Sequence, residues 1–70
     1  MHPLYNRSTR STLREIERIT DAGGSYHRDR DTPRRRIERL LNAGLVTFGR
    51  DGLVITTAGR TVLDDWDFLA

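Results

Sequence analysis

Residues 32–61, TPRRRIERLLNAGLVTFGRDGLVITTAGRT, restrict this chain to very few folds. Thr32-Pro33 reads as a helix start: a hydroxyl N-cap, then a proline at the first helical position, where its missing N–H costs nothing. Asp31 just before it suits the positive end of that helix. Ile37, Leu40 and Leu41 recur at helical spacing as one buried stripe, and Gly44 is placed to cap the C-terminus. Two short runs of strand composition follow, Leu45-Val46-Thr47-Phe48 and Leu53-Val54-Ile55-Thr56. Gly49-Arg50-Asp51-Gly52 joins them as a hairpin, with Asp-Gly the favoured turn dipeptide. Thr56 or Thr57 then opens a further helix with Val62, Leu63 and Trp66 on its apolar face. Gly59 inside that helix weakens it, which predicts that the backbone there passes close to a neighbour.

Upstream, Thr12-Leu13-Arg14-Glu15 fits the capping-box pattern. Leu13, Ile16, Ile19 and Thr20 continue it as a helix that Gly23-Gly24 stops. Its outer face, Arg14, Glu15, Glu17, Arg18 and Asp21, reads as solvated surface. Only seven residues, SYHRDRD, separate Gly24 from Thr32. They have room for one or two helical turns or for a structured loop, with Tyr26 turned to the core. Residues 1–10 are polar and aperiodic and read as a flexible arm. Leu4 and Tyr5 are candidates to pack on the body, and Arg7 and Arg10 either touch phosphate or stay solvated. The organisation expected is an arm over 1–10 and one domain over 11–70, with the hairpin at about 45–56.

Seventy residues make one small domain with a modest core, so stability is marginal unless the chain dimerises. There is no cysteine, which excludes disulfides and Cys-based metal sites. No apolar run approaches the roughly 20 residues needed to span a bilayer. The segment MHPLYNRSTR lacks an apolar signal core, so the expected location is cytoplasmic.

All twelve basic residues are Arg, as a GC-rich coding sequence would produce. Arg nevertheless supplies a planar fork of donors suited to phosphate and to guanine edges. Residues 1–50 hold eleven Arg against six acids, a net +5, and residues 51–70 hold Arg60 against Asp51, Asp64, Asp65 and Asp67, a net −3. The basic part is expected to face a polyanion and the acidic tail to face away. On the helix over 33–43, the face opposite the buried stripe carries Arg35, Arg39 and Asn42, with Arg36 and Ala43 on its flank. Arg34 lies nearer the buried side, in the first turn, where a long side chain swings out.

Two motifs in this order resemble the winged-helix transcription regulators of the broad MarR/PadR-like group. One is Arg36-Ile37-Glu38-Arg39-Leu40-Leu41-Asn42-Ala43-Gly44-Leu45-Val46. The other is Ile55-Thr56-Thr57-Ala58-Gly59-Arg60-Thr61-Val62-Leu63. Together they cover roughly residues 32–63. The resemblance implies a mainly α fold with a small β-hairpin (α+β), a winged helix-turn-helix with its second helix shortened. The long flanking helices that dimerise full-length proteins of that group are absent, so dimerisation and a ligand pocket do not carry over. Small isolated domains of this kind resemble those of phages and mobile elements.

In that docking mode the second helix of the motif lies in the major groove with its N-terminal residues at base edges. Arg35 and Arg39 are then placed for base edges or phosphates, with Asn42 a weaker candidate. Arg34, Arg36 and Arg50 suit phosphate contacts, and exposed Arg28 and Arg30 join the DNA-binding set. The expected function is a small transcription regulator that binds double-stranded DNA. The alternative is a winged-helix module that docks an acidic protein, and a solvated Arg face is the plain reading of the charge. Trp66, Phe68 and Leu69 either close the core or pair two copies as a homodimer. No nucleophile–base arrangement or phosphate-binding glycine loop is apparent. His2 and His27 read as surface residues. Asp64, Asp65 and Asp67 read as a solvated helix end before they read as an ion site. The expectation is no enzyme, no cofactor and no metal.

Overall fold

The computed structural model describes residues 5–69, with the backbone alone at Leu69. The expectations for His2, Leu4 and the Leu69 side chain therefore lie outside the described residues. The chain is a small α+β fold of helices α1 (Arg7–Asp21), α2 (Arg34–Asn42) and α3 (Thr57–Leu69), with strands β1 (Val46–Phe48) and β2 (Leu53–Ile55) between the last two helices. The order helix, helix, hairpin, helix is the one expected from the sequence.

The first helix starts earlier than its capping-box motif suggests. Asn6 is the N-cap, in extended backbone, and its Oδ1 accepts the Thr9 N–H at 2.8 Å. Asn is a stronger N-cap than Thr, so residues 7–10 join α1 rather than an arm. Thr12 then sits inside the helix. Its Oγ1 donates to the Ser8 carbonyl at 3.0 Å, and its methyl joins Thr9, Leu13 and Ile16 on the buried face. The helix ends in a Schellman closure: Gly24 N–H donates to the Ile19 carbonyl at 2.9 Å and Gly23 N–H to Thr20 at 3.0 Å. Gly23 has φ +86°, the left-handed conformation that closure requires.

Residues 25–31 form no helix. Tyr26 instead makes an antiparallel bridge to Leu53, exchanging N–H···O bonds of 2.8 and 2.9 Å on the edge of β2 away from β1. Its ring is buried, as the sequence suggested, and its hydroxyl donates to Thr32 Oγ1 at 3.2 Å. Thr32 is consequently not the N-cap of α2. Its hydroxyl points inward and donates to Asp29 Oδ1 at 2.9 Å, which also accepts the N–H groups of Asp31 and Thr32. Pro33 takes the N-cap position, with no side-chain cap bond. The Thr32 hydroxyl holds the Asp29 carboxylate below the ordinary range, helped by those backbone bonds.

At its other end α2 closes on Gly44, at φ +76°, with Gly44 N–H to the Leu41 carbonyl and Leu45 N–H to Leu40, both 3.0 Å. Leu40 and Leu45 are both buried, completing the apolar contact usual in this closure. The strands pair Val46 with Ile55, Thr47 with Val54 and Phe48 with Leu53. They are one residue shorter than read at each outer end, and neither Gly49 nor Gly52 has positive φ. The Asp-Gly pair therefore does not form the tight primed turn. The link uses all of residues 49–52, closed by Gly49 N–H to the Gly52 carbonyl at 2.6 Å.

Thr56 opens α3. Its Oγ1 accepts the Gly59 N–H at 3.0 Å and donates to the Gly44 carbonyl at 2.6 Å, so one hydroxyl joins the end of α2 to the start of α3. The core comprises Leu13, Ile16, Tyr26, Ile37, Leu40, Leu45, Val46, Leu53, Ile55, Leu63 and Trp66. Trp66 is 1% exposed, which places it in the core and removes it from any pairing surface. Tyr5 packs edge-on against it with ring centroids 5.5 Å apart. Arg14 pairs with Glu17 and Asp67, and Arg60 with Asp21 and Glu17, so part of the outer face of α1 is tied to α3 rather than simply solvated.

Gly59 has the close neighbour its sequence position implied. A Cβ there would collide with the Leu45 carbonyl oxygen and lie 2.7 Å from Ile55 Cγ1. Gly59→Ala therefore overpacks the junction of α3 and the hairpin. We expect a loss of about 3 kcal/mol, or a fall in Tm on the order of 10 °C or more. Thermal melting followed by circular dichroism checks this; an unchanged Tm contradicts the close approach.

Asp29 links stability to pH. Its folded pKa is depressed, so its contribution is complete above the ordinary aspartate range and is lost as pH falls through the lower folded value. Asp29→Asn is expected to melt below the parent at neutral pH, with the difference shrinking below about pH 4. Melting both proteins across pH tests this, and a difference independent of pH contradicts it.

Candidate nucleic-acid interface

Because Ile37 and Leu40 turn α2 onto the core, with Leu41 half-buried beside them, the opposite positions are forced outward. Arg35, Arg39 and Asn42 are exposed, while Arg36 is half-buried on the flank facing α1. Arg36 is not free to swing: its Nη1 donates to Thr12 Oγ1 at 3.1 Å. Thr12 thereby serves α1, which it joins through the Ser8 carbonyl, and α2, whose guanidinium it fixes.

Between α2 and the first turn of α1 lies an open cleft of about 640 Å³, lined by Arg7, Arg35, Arg36 and Arg39 together with Asn6, Ser8, Thr9 and Pro33. No carboxylate lines it. Among the described residues none of those four Arg side chains forms an ion pair. Neither α1 nor α2 carries an acidic residue in its first turn, so no carboxylate of either helix offsets the positive end of its dipole beside the cleft. Arg7 reaches this cluster because α1 begins at Arg7; read as part of an arm, it had no fixed place. The signal in the sequence is Asn6, a strong N-cap three residues before Thr9.

The remaining candidates are dispersed. Arg34 lies on the other flank of α2, 81% exposed, with Nε 3.3 Å from Glu38 Oε1. It borders a second groove, between α2 and the hairpin, together with Arg28. Arg28 donates to the Thr32 carbonyl at 3.0 Å and so braces the turn before α2. Arg30 is exposed in that turn, Arg50 is exposed in the hairpin connection, and Asn42 stands at the last position of α2.

On α1 and α3, Arg14, Arg18 and Arg60 are matched by acids. Arg60 holds the Asp21 carboxylate below its ordinary range through a 2.6 Å hydrogen bond, and Glu15 raises the Arg18 guanidinium. These exposed pairs add little stability individually. They neutralise Arg14, Arg18 and Arg60, whereas the four Arg of the cleft have no ion-pair partner among the described residues. Such an arrangement can hold a polyanion by several guanidinium contacts at once. Among the described residues no three His, Cys, Asp or Glu side chains are grouped to hold a metal ion, Asp64, Asp65 and Asp67 included. No helix of the described residues is long and apolar enough to cross a membrane. Comparison with protein-family models, curated proteins and solved structures found no match to this chain.

Proposed function

We propose that this chain is a minimal winged-helix protein that binds double-stranded DNA, a small cytoplasmic transcription regulator and not an enzyme. The observation that carries the reading is the carboxylate-free cleft in which Arg7 joins Arg35, Arg36 and Arg39. In the proposed complex α2 enters the major groove. Arg35 and Arg39, on its outward face, take base edges or the phosphates beside them. Arg36, held by Thr12, and Arg7, at the start of α1, take phosphates on one side of the groove. Arg50 on the hairpin, with Arg28, Arg30 and Arg34, takes the backbone on the other side. Asn42, a full helix length from the N-terminus of α2, contributes least.

The second reading is a module that docks an acidic protein. It is favoured by the absence of a helix over 25–31, the element that in a helix-turn-helix crosses the DNA backbone. Salt-dependent binding to an arbitrary duplex separates the two.

The test is affinity for a random-sequence duplex across a salt series. Binding is expected to fall steeply with salt, because neutralised phosphates release counterions. Arg35→Ala or Arg39→Ala should each cost about 1–3 kcal/mol and alter base preference. Arg7→Ala and Arg50→Ala should weaken all duplexes alike and reduce the salt slope by about 1 each. No binding at low salt, or variants that bind as the parent does, transfers the function to the protein-docking reading.

A further inference from the structure

Phe48 and Phe68 are the large apolar side chains left mostly in water among the described residues, 74% and 89% exposed. They sit in opposite electrostatic settings. Phe68 projects from the end of α3 on a face shared with Asp64 and Asp65, one turn earlier. Neither carboxylate forms an ion pair among the described residues. Phe48 borders an open groove of about 450 Å³ between α2 and the hairpin, where Ile37, Leu41 and Leu53 supply further apolar lining. Arg28 and Arg34 also line it. Its single acid, Glu38, pairs with Arg34 only at 3.3 Å between two exposed groups.

One part of the molecule thus presents an aromatic ring flanked by carboxylates, and another presents an apolar groove flanked by guanidinium groups. Phe68 does not fill the groove of its own chain, since it is 89% exposed. We propose that the groove receives Phe68 of a second copy of this chain, with Asp64 and Asp65 of that copy against Arg28 and Arg34. The occupant is argued from charge: the acids beside Phe68 and the cations beside the groove are opposite in sign, Asp64 and Asp65 pair with no cation of their own chain among the described residues, and Arg34 has only exposed Glu38 and Arg28 only neighbouring Asp29 for acid partners. A lone ring and two ion pairs bury far less than the roughly 1,600 Å² of a standard stable interface. The association is therefore weak and concentration-dependent. It closes as a dimer if the contact is reciprocal and extends as a chain if it is not. This inference does not rest on the DNA reading, and because it occupies Arg28 and Arg34 the association and the backbone contacts of those two residues exclude one another.

Sedimentation equilibrium of the full chain, from micromolar to millimolar concentration, tests it. The mean mass should rise with concentration, and the rise should weaken as salt is added. Phe68→Ser and Phe48→Ser change exposed positions, so both should melt near the parent temperature while lowering the association constant at least tenfold. Phe68→Trp, which keeps an aromatic ring, should retain association. A parent that stays monomeric at millimolar concentration overturns the proposal. So does either Ser variant associating as the parent does: persistence in Phe68→Ser removes the ring, and persistence in Phe48→Ser removes the groove.

Discussion

A helix of nine residues cannot hold itself; isolated helices shorter than about 12–15 residues are marginal in water. The arrangement of α2 therefore depends on what grips it from outside. Ile37 and Leu40 anchor it from below. The Gly44 closure and the Thr56 hydroxyl lock its C-terminal end to the start of α3. Ahead of its N-terminus, the Tyr26 hydroxyl, Thr32 and Asp29 form a hydrogen-bonded strut that continues through the Tyr26–Leu53 bridge into the hairpin. Support from beneath and from both ends leaves the outer face of the helix with no structural duty. That is why it can carry Arg35 and Arg39 without any acid to balance them.

The same strut explains how the chain manages without a helix between α1 and α2. Seven residues are too few for a second full helix and its turns, but an extended segment covers distance at about 3.3 Å per residue. Running 25–31 as a bridge strand and a turn lets the backbone cross from the end of α1 to the start of α2. Tyr26 satisfies its backbone polar groups on Leu53 of β2, and α1, β2 and α3 remain free to build the tighter part of the core. Thr20 Oγ1, accepting the Ile55 N–H at 3.1 Å, seals α1 to β2. Charge follows this division. Acids on α1 and α3 answer Arg14, Arg18 and Arg60, while Arg35, Arg36 and Arg39 of α2 and Arg7 of α1 face one cleft together.

Much of this was legible in the chain because the relevant physics is local. Gly44 stands where a helix must turn left-handed to close, and Thr56 stands one residue before a helix whose N–H groups need an acceptor. Gly59 marked a close approach, since a glycine that weakens a helix implies a neighbour that excludes a side chain. Three features were hidden because they turn on choices between partners. Thr12 has the spacing of a cap, yet Asn6 upstream outcompetes it, and a threonine hydroxyl is equally satisfied by its own preceding turn. Thr32 has the position of a cap, yet Asp29 and Tyr26 claim its hydroxyl. The Tyr26 bridge joins residues 27 positions apart and leaves no periodicity to read. The candidate interface was legible in the same measure: the outward face of α2 followed from a 100° rotation per residue, whereas the place of Arg7 depended on where α1 begins.

The account turns on whether the cleft between α1 and α2, and not the acidic side of the molecule, is the surface that meets DNA. The most direct measurement is an amide chemical-shift map of the labelled protein titrated with a short duplex. The account predicts that the largest changes fall at Arg7 and Ser8, at Arg35, Arg36 and Arg39, and at Arg50, with α3 nearly silent. Changes centred on α3, or no changes at low salt, would contradict it.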